Sequence, residues 1–310
     1  MNKRTIGSLE VSVVGLGCNN FGRRVDAQQT KAVVDEALAC DINFFDTADI
    51  YGTGESEELL GRALGPRRPD VVIATKFGME MGPDRKGGSA RWIRTAVEDS
   101  LRRLGTDVID LYQMHAPDPD VPIEETLGTL DELVRAGKVR EIGCSNFSGA
   151  QIEQADTVSR DEGLARFVSE QSQYSLLRRE VESDVLPACE RMGLSFLPYF
   201  PLASGMLTGK YRRGENPPEG TRLATAAPDR VSQLMSDRSF EIVEKLEAFA
   251  SERGRTLLEL AMSWLAGRPM VASVIAGATK PEQVTSNSQA AGWVLSDEEG
   301  AEVDAITAGG

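Results

Sequence analysis

The chain has 310 residues, with 34 Lys and Arg against 48 Asp and Glu, a single His and a net charge of −14. So acidic a protein repels the phosphates of nucleic acid and of anionic membranes, which argues against both as partners. The longest apolar runs fall short of a membrane span and the N-terminus has no apolar core of a signal peptide. The cysteines (18, 40, 144 and 189) are too scattered for a zinc site, so a cytoplasmic protein with reduced thiols and no metal is expected.

Residues 5–13, with Gly7 and Ser8 between apolar ends, predict a short hairpin able to plug the bottom of a barrel. Residues 14–17 predict a first strand. The stretch GLGCNNFG at 15–22 approaches the dinucleotide fingerprint G-x-G-x-x-G, but Asn20 stands at the third glycine, and a flexible turn is the better reading. A regular alternation follows. Strands are predicted at 42–45, 71–75, 108–115, 139–144, 167–171, 194–199 and 271–276. Helices are predicted at 28–40, 56–64, 90–104, 122–136, 148–160, 180–192, 240–253, 257–266 and 281–291. Eight strands alternating with helices predict an α/β fold, a single (β/α)8 TIM barrel over residues 1–310 with an N-terminal hairpin, rather than two domains. Short apolar strands suit the wall of a parallel barrel, where both faces are buried. One connection breaks the rhythm. Residues 201–239, with GENPPEG at 214–220, form a long segment rich in Gly, Pro and charge after strand seven, and loops of that length are uncommon unless they bind, cover or are disordered.

Chemistry concentrates at the strand ends. In NFFDTADIYG at 43–52 an apolar strand stops at Asp46, and Tyr51 sits in the loop beyond. The strand at 71–75 ends in Lys76, and the strand at 108–115 ends in His115, the chain's one histidine. If these strands lie side by side and parallel, Asp46, Tyr51, Lys76 and His115 converge on the rim where α/β barrels carry out catalysis. Such a set suits proton transfer to a carbonyl oxygen. A phenol with an ordinary pKa of about 10 is a poor acid, a nearby ammonium favours its ionised form, a carboxylate holds that ammonium in place, and a histidine orients the carbonyl or helps the proton move. A structural ion pair would account for Asp46 and Lys76, and a lone histidine is often only a satisfied polar residue; neither accounts for Tyr51 beside them, for which packing is the alternative.

The segments FDTADIYG at 45–52, ATKFG at 74–78, DLYQMH at 110–115, IGCSNF at 142–147 and YFPL at 199–202 resemble, in order and at strand ends, those of the aldo-keto reductases. The resemblance runs from about residue 6 to 295. It implies a (β/α)8 barrel and an NADP (NADPH) cofactor. By the roles of matching positions, Ser145, Asn146 and Gln171 would bond the nicotinamide carboxamide and Tyr199 would stack on its ring. Phe200, Pro201, Leu202, Ser204, Gly205 and Leu207 would line the pyrophosphate, which Lys210 would neutralise. At the last helix, Gly277, Thr279 and Lys280 would receive the 2′-phosphate, with Gln283 and Asn287 on the adenine. The chain departs from many members in carrying Gly277 and Gln283 where some have Lys and Arg, which leaves Lys280 as the expected reader of the phosphate. The segment 201–239 is then expected to cover the cofactor.

The function this implies is reduction of an aldehyde or ketone, with hydride from nicotinamide C4 and a proton from Tyr51. The resemblance also takes in channel-associated β subunits that share the barrel and the four residues, so a regulatory subunit with bound cofactor and little turnover stands as the alternative. Asn19, Asn20, Phe21, Phe77, Met79 and Pro117 are candidates for the wall of an apolar substrate pocket, the partner expected being a small carbonyl compound.

Overall fold

The computed structural model describes residues 1–308. Strands β1 (Lys3–Ile6) and β2 (Leu9–Ser12) form the antiparallel hairpin. Eight parallel strands follow: β3 (Val14–Gly17), β4 (Phe44–Asp46), β5 (Val72–Phe77), β6 (Ile109–Met114), β7 (Val139–Ser145), β8 (Phe167–Gln171), β9 (Ser195–Phe196) and β10 (Val274–Gly277). Their order in the sheet is β10-β3-β4-β5-β6-β7-β8-β9. Parallel bridges from Phe196 to Val271 and from Tyr199 to Ile275 join the two edges and close the ring. The architecture is therefore the barrel that the alternation predicts.

The two faces of each strand follow from its period of two. Phe44, Val72, Ala74, Leu111, Leu197, Ala272 and Ile275 form an apolar interior, closed from below by Ile6, Leu9 and Val11 of the hairpin. Two residues beyond Phe44 stands Asp46, and two beyond Ala74 stands Lys76, so both point into the same interior, above its apolar floor. The alternate residues Phe45, Ile73, Phe77 and Tyr112 belong to the larger core between strands and helices.

Four local departures have physical causes. The helix expected at 180–192 divides into a 3₁₀ turn, Glu180–Ser183, and a helix, Val185–Met192. Asp184 between them turns its carboxylate to the N–H of Gly149 (2.8 Å) and caps the neighbouring helix Gly149–Glu162. Strand β9 is short, because Pro198 has no N–H to give to a ladder; the chain rejoins the sheet at Tyr199. The segment 201–239 is not structureless: it holds 3₁₀ turns at Ala203–Thr208 and Leu223–Thr225 and a helix at Pro228–Leu234. Last, Pro281–Ala290 is not the final helix. Asp297–Thr307 follows, started by a reciprocal capping box in which Glu299 N–H donates to Ser296 Oγ (3.2 Å) and Ser296 N–H to the Glu299 carboxylate (2.9 Å). Among the described residues no helix is long and apolar enough to cross a membrane.

Helices Glu55–Leu64 and Ala90–Leu104 cross at Gly61, where a Cβ would lie 2.7 Å from the carbonyl carbon of Leu104. Backbone cannot move aside as a side chain can. Gly61→Ala should therefore destabilise the fold by about 1–3 kcal/mol, read as a lower urea midpoint; an unchanged midpoint would show that the helices separate freely.

Candidate active site

Lys76 is fully buried at the inner face of β5. Its Nζ donates to Asp46 Oδ1 (2.7 Å) and to the carbonyl of Thr47 (2.8 Å), and lies 5.5 Å from the centre of the Tyr51 ring. Parallel pairing of β4 with β5, Asp46 opposite Ala74, is what brings carboxylate and ammonium together. Burial disfavours the ammonium, but Asp46 and Tyr51 outweigh it and hold the Lys76 pKa above its ordinary value. The Tyr51 ring meets the His115 ring edge-on, with centroids 5.9 Å apart. All four residues singled out at the strand ends are thus in one cluster.

The electrostatics differ in one respect from the expectation that the ammonium acidifies the phenol. Burial pushes the Tyr51 pKa up, and Lys76 only opposes that shift. Tyr51 therefore keeps its proton at neutral pH. Burial, with Lys76 second, pushes His115 down to about 3, so its imidazole is neutral; its Nδ1 has no hydrogen-bond partner among the described residues.

A second group lines the rim beside the first. Tyr199 OH donates to Asn146 Oδ1 (2.9 Å), and Asn146 Nδ2 donates to Ser145 Oγ (3.0 Å) and to the carbonyl of His115 (2.9 Å). Ser145 Oγ donates to the Gln171 carbonyl (2.7 Å), and Gln171 Nε2 donates to Asp46 Oδ1 (2.8 Å). Beyond β9 the backbone is unusually bent: Phe200, Ala203 and Ser204 all have positive φ (52°, 45° and 58°), as does Asn146 (62°) beyond β7. Strained non-glycine residues of this kind gather where a surface is shaped for a ligand. Pro201, Ser204, Gly205 and Leu207 are buried there, Leu202 half-buried, and Lys210 folds back over Gly205, its Nζ 2.6 Å from where a Cβ would be.

Three cations that sequence reasoning did not single out stand over this loop. Arg222 Nη2 donates to Asn19 Oδ1 (3.1 Å) and Asn20 Oδ1 (3.0 Å), Arg230 Nη2 to Ser204 Oγ (3.3 Å), and Arg24 Nη2 to the Gly220 carbonyl (2.8 Å). Arg222 and Arg230 each lie 5.2 Å from the centre of the Phe200 ring. Burial, and then Arg24, Arg230 and Arg23, push Arg222 down to about 10, and burial with Arg24 and Arg222 pushes Lys210 down. Among the described residues none of these five cations forms an ion pair with a carboxylate. Uncompensated positive charge in so acidic a protein is a place for an anion. For Arg222 and Arg230 the only signal in the sequence was charge within a Gly- and Pro-rich loop, which ordinarily marks solvated surface.

Asn20 Nδ2 donates to the Ala278 carbonyl (3.2 Å), tying the arginine cluster to the end of β10. Gly277 and Lys280 are exposed there, Thr279 half-buried and Asn287 buried. Gln283 is exposed and its Oε1 is taken by the Thr279 N–H (2.8 Å) and hydroxyl (3.2 Å). Of the pocket candidates, Asn19 holds Arg222 and Met79 is exposed. Asn20 is buried, and Pro117 half-buried. Phe21 and Phe77 are corrections: both are fully buried in the core, Phe77 with its ring 4.8 Å from that of Tyr112, and neither offers surface to a substrate.

Residues 13–308 match the model of the aldo/keto reductase family. The chain is 37% identical over 288 residues to a probable voltage-gated potassium channel subunit beta of Oryza sativa subsp. japonica, covering 91% of this chain and 88% of that one. It is 36% identical over 308 residues to the aldo-keto reductase YhdN of Bacillus subtilis (strain 168), covering 96% and 90%. To a probable aldo-keto reductase 1 of Glycine max it is 35% identical over 298 residues, covering 94% and 84%.

The His115 shift carries a consequence for stability. The unfolded chain gains a proton at its one histidine below about pH 6.5, whereas the folded chain refuses it until about pH 3. The stability this group contributes is therefore present above pH 6.5 and lost as pH falls toward 3. Asp49 and Glu170, both raised by burial to about 7, act with the opposite sign, stabilising most in acid. His115→Asn isolates the first effect. Measured by urea unfolding from pH 7 to pH 4, the native protein should lose stability relative to the variant. A constant difference would show that His115 titrates alike folded and unfolded.

Proposed function

Because the chain belongs to the aldo/keto reductase family, we propose that it is an NADP-dependent oxidoreductase reducing an aldehyde or ketone to an alcohol, its residues 1–310 acting as one domain. The observation that carries the reading is the contact of Lys76 with both Asp46 and Tyr51, with His115 against the same phenol. Tyr51, protonated at neutral pH, gives its proton to the carbonyl oxygen. Lys76 stands ready to stabilise the phenolate left behind, and the Asp46 carboxylate keeps that ammonium charged and in place. Neutral His115 offers a ring N–H to the same oxygen and so orients the carbonyl. A bound nicotinamide would supply the hydride.

The cofactor reading is supported by the unpaired cations. Lys210, Arg24 and Arg230 would neutralise a pyrophosphate over the strained turn at Phe200–Ser204, and Ser145, Asn146, Gln171 and Tyr199 would hold the nicotinamide end. Lys280 and Arg222, both beside the end of β10, would share the 2′-phosphate. Gln283 and Asn287 would face the adenine.

A second reading has one observation in its favour, the likeness to a protein named as a probable channel β subunit. On that reading the same site binds the cofactor and turns over slowly, and the chain serves a larger assembly. Turnover of NADPH against a panel of aldehydes, sugars, steroids and quinones separates the two.

Tyr51→Phe should lower kcat by about 10²–10⁴-fold, the usual contribution of a general acid, with NADPH affinity nearly unchanged. Steady-state rates with a fluorescence titration of NADPH measure both. Near-native turnover would remove Tyr51 as the donor. For cofactor choice, Arg222→Ala should weaken NADPH about ten- to a hundredfold, as expected for a charge-assisted contact, and the exposed Lys280→Ala by about tenfold or less. Lys280→Ala should leave NADH nearly unchanged, and added salt should narrow the native preference. Equal losses of both dinucleotides in Lys280→Ala would show that it does not read the 2′-phosphate.

A further inference from the structure

Asp46 has a second donor besides Lys76. Its Oδ1 receives both Lys76 Nζ at 2.7 Å, from the adjacent strand β5, and Gln171 Nε2 at 2.8 Å, from β8 across the barrel mouth. Resting on the reductase reading above, we propose that Gln171 is a positioning residue for the Asp46–Lys76 pair, its amide joining the nicotinamide subsite to the charge that supports Tyr51.

Three features of Gln171 support this role. First, its orientation is dictated by chemistry. A carboxylate can only accept, so the NH2 end of the amide must face Asp46, and the Oε1 end is left as an acceptor able to meet a carboxamide N–H. Second, its backbone is fixed on both sides. The Gln171 N–H donates to Glu170 Oε2 (2.8 Å), and the Gln171 carbonyl accepts from Ser145 Oγ (2.7 Å) and the Asn146 N–H (3.1 Å). The side chain thus reaches Asp46 from an anchored point, and Gln171 itself is 2% exposed. Third, the contacts are continuous. Tyr199, Asn146, Ser145, Gln171, Asp46 and Lys76 form one hydrogen-bonded path across the mouth. A group bound against Ser145 and Asn146 therefore touches the same network that holds the ammonium beside the phenol. The hydrogen bond from Gln171 fixes the carboxylate without adding a charge, so among the described residues Lys76 remains the only cation on it.

The test separates holding the cofactor from positioning the pair. In Gln171→Met, of similar shape but with no donor, kcat at saturating NADPH should fall about ten- to a hundredfold, while the dissociation constant of NADPH rises by less than that. In Gln171→Glu two carboxyls face each other and share one proton, so the introduced group can donate only when protonated. Activity should then be lost at pH 8 and recover as pH falls toward 6, a rescue that a purely structural role would not produce. An arm without turnover uses the cofactor-free protein. The side-chain amide NMR signals of Gln171, assigned by their loss in Gln171→Met, should move in Asp46→Asn. A weakened NADPH constant with unchanged kcat in Gln171→Met would make Gln171 a cofactor contact only and overturn the proposal, as would amide signals indifferent to Asp46→Asn. If the native protein reduces no carbonyl while those signals do move, the reductase reading fails and the Gln171–Asp46 contact stands.

Discussion

The arrangement at the barrel mouth depends on one interaction, the buried ion pair of Lys76 and Asp46. An ammonium with no exposed surface stays charged only beside a close counter-charge, because burial alone would drive off its proton. The pair in turn requires β4 and β5 to be parallel neighbours in one register, since a slip of one residue would turn Asp46 or Lys76 outward among the helices. Beneath the pair lies a dry floor. The hairpin supplies that floor by setting Ile6, Leu9 and Val11 against Phe44 and Leu111 below the charged layer. An antiparallel hairpin far from any chemistry therefore helps to seal the pair from water, which strengthens its attraction, while Asp46 holds the charge on Lys76 against burial.

Charge is distributed in two opposed ways. The whole chain carries −14, yet Lys210, Arg24, Arg222 and Arg230 gather over one loop, none of them ion-paired with a carboxylate among the described residues. Burial, and then repulsion among the cations, lower the pKa of Arg222 and Lys210; an anion would relieve the repulsion. The backbone beneath them is strained, with three left-handed non-glycine residues between Phe200 and Ser204. That strain is held by packing: Ala203, Met206 and Leu207 are buried against the core, and Tyr211 OH bonds the Ser204 carbonyl at 3.3 Å.

What the sequence could disclose follows from how local each signal is. Strand and helix periods span few residues, and the alternation of strand and helix was legible from the hairpin to the helix Pro281–Ala290. The cluster of Asp46, Tyr51, Lys76 and His115 was legible too, because each stands at or just past a strand end and neighbouring strands bring such ends together. The helix Asp297–Thr307 had a readable start in Ser296 and Glu299, but its few buried residues, Val303 and Thr307, give a weak period. Phe77 was misread for a reason the period itself contains: if Lys76 faces the interior, the next residue must face the helices. The Gln171–Asp46 bond lay beyond local reading altogether. Its partners are 125 residues apart and meet only because the barrel curves them together.

Gly277 illustrates how an apparent deficit can be part of a design. A Cβ at that position would lie 3.2 Å from Asn20 Nδ2 and 3.5 Å from Asn19 Oδ1, the two side chains that hold Arg222. A basic side chain rooted in the strand would crowd the pair of amides that bring in the guanidinium from the loop. The two ways of placing positive charge at this rim therefore compete for one space, and this chain uses the loop. The difference matters physically. A cation rooted in β10 is present at all times, whereas Arg222 is in position only while the segment around it is packed, with Leu223 buried and Arg24 bonded to Gly220. On the proposed reading, recognition of the cofactor's phosphate therefore depends on the packing of that segment, and loosening it would weaken the dinucleotide's hold.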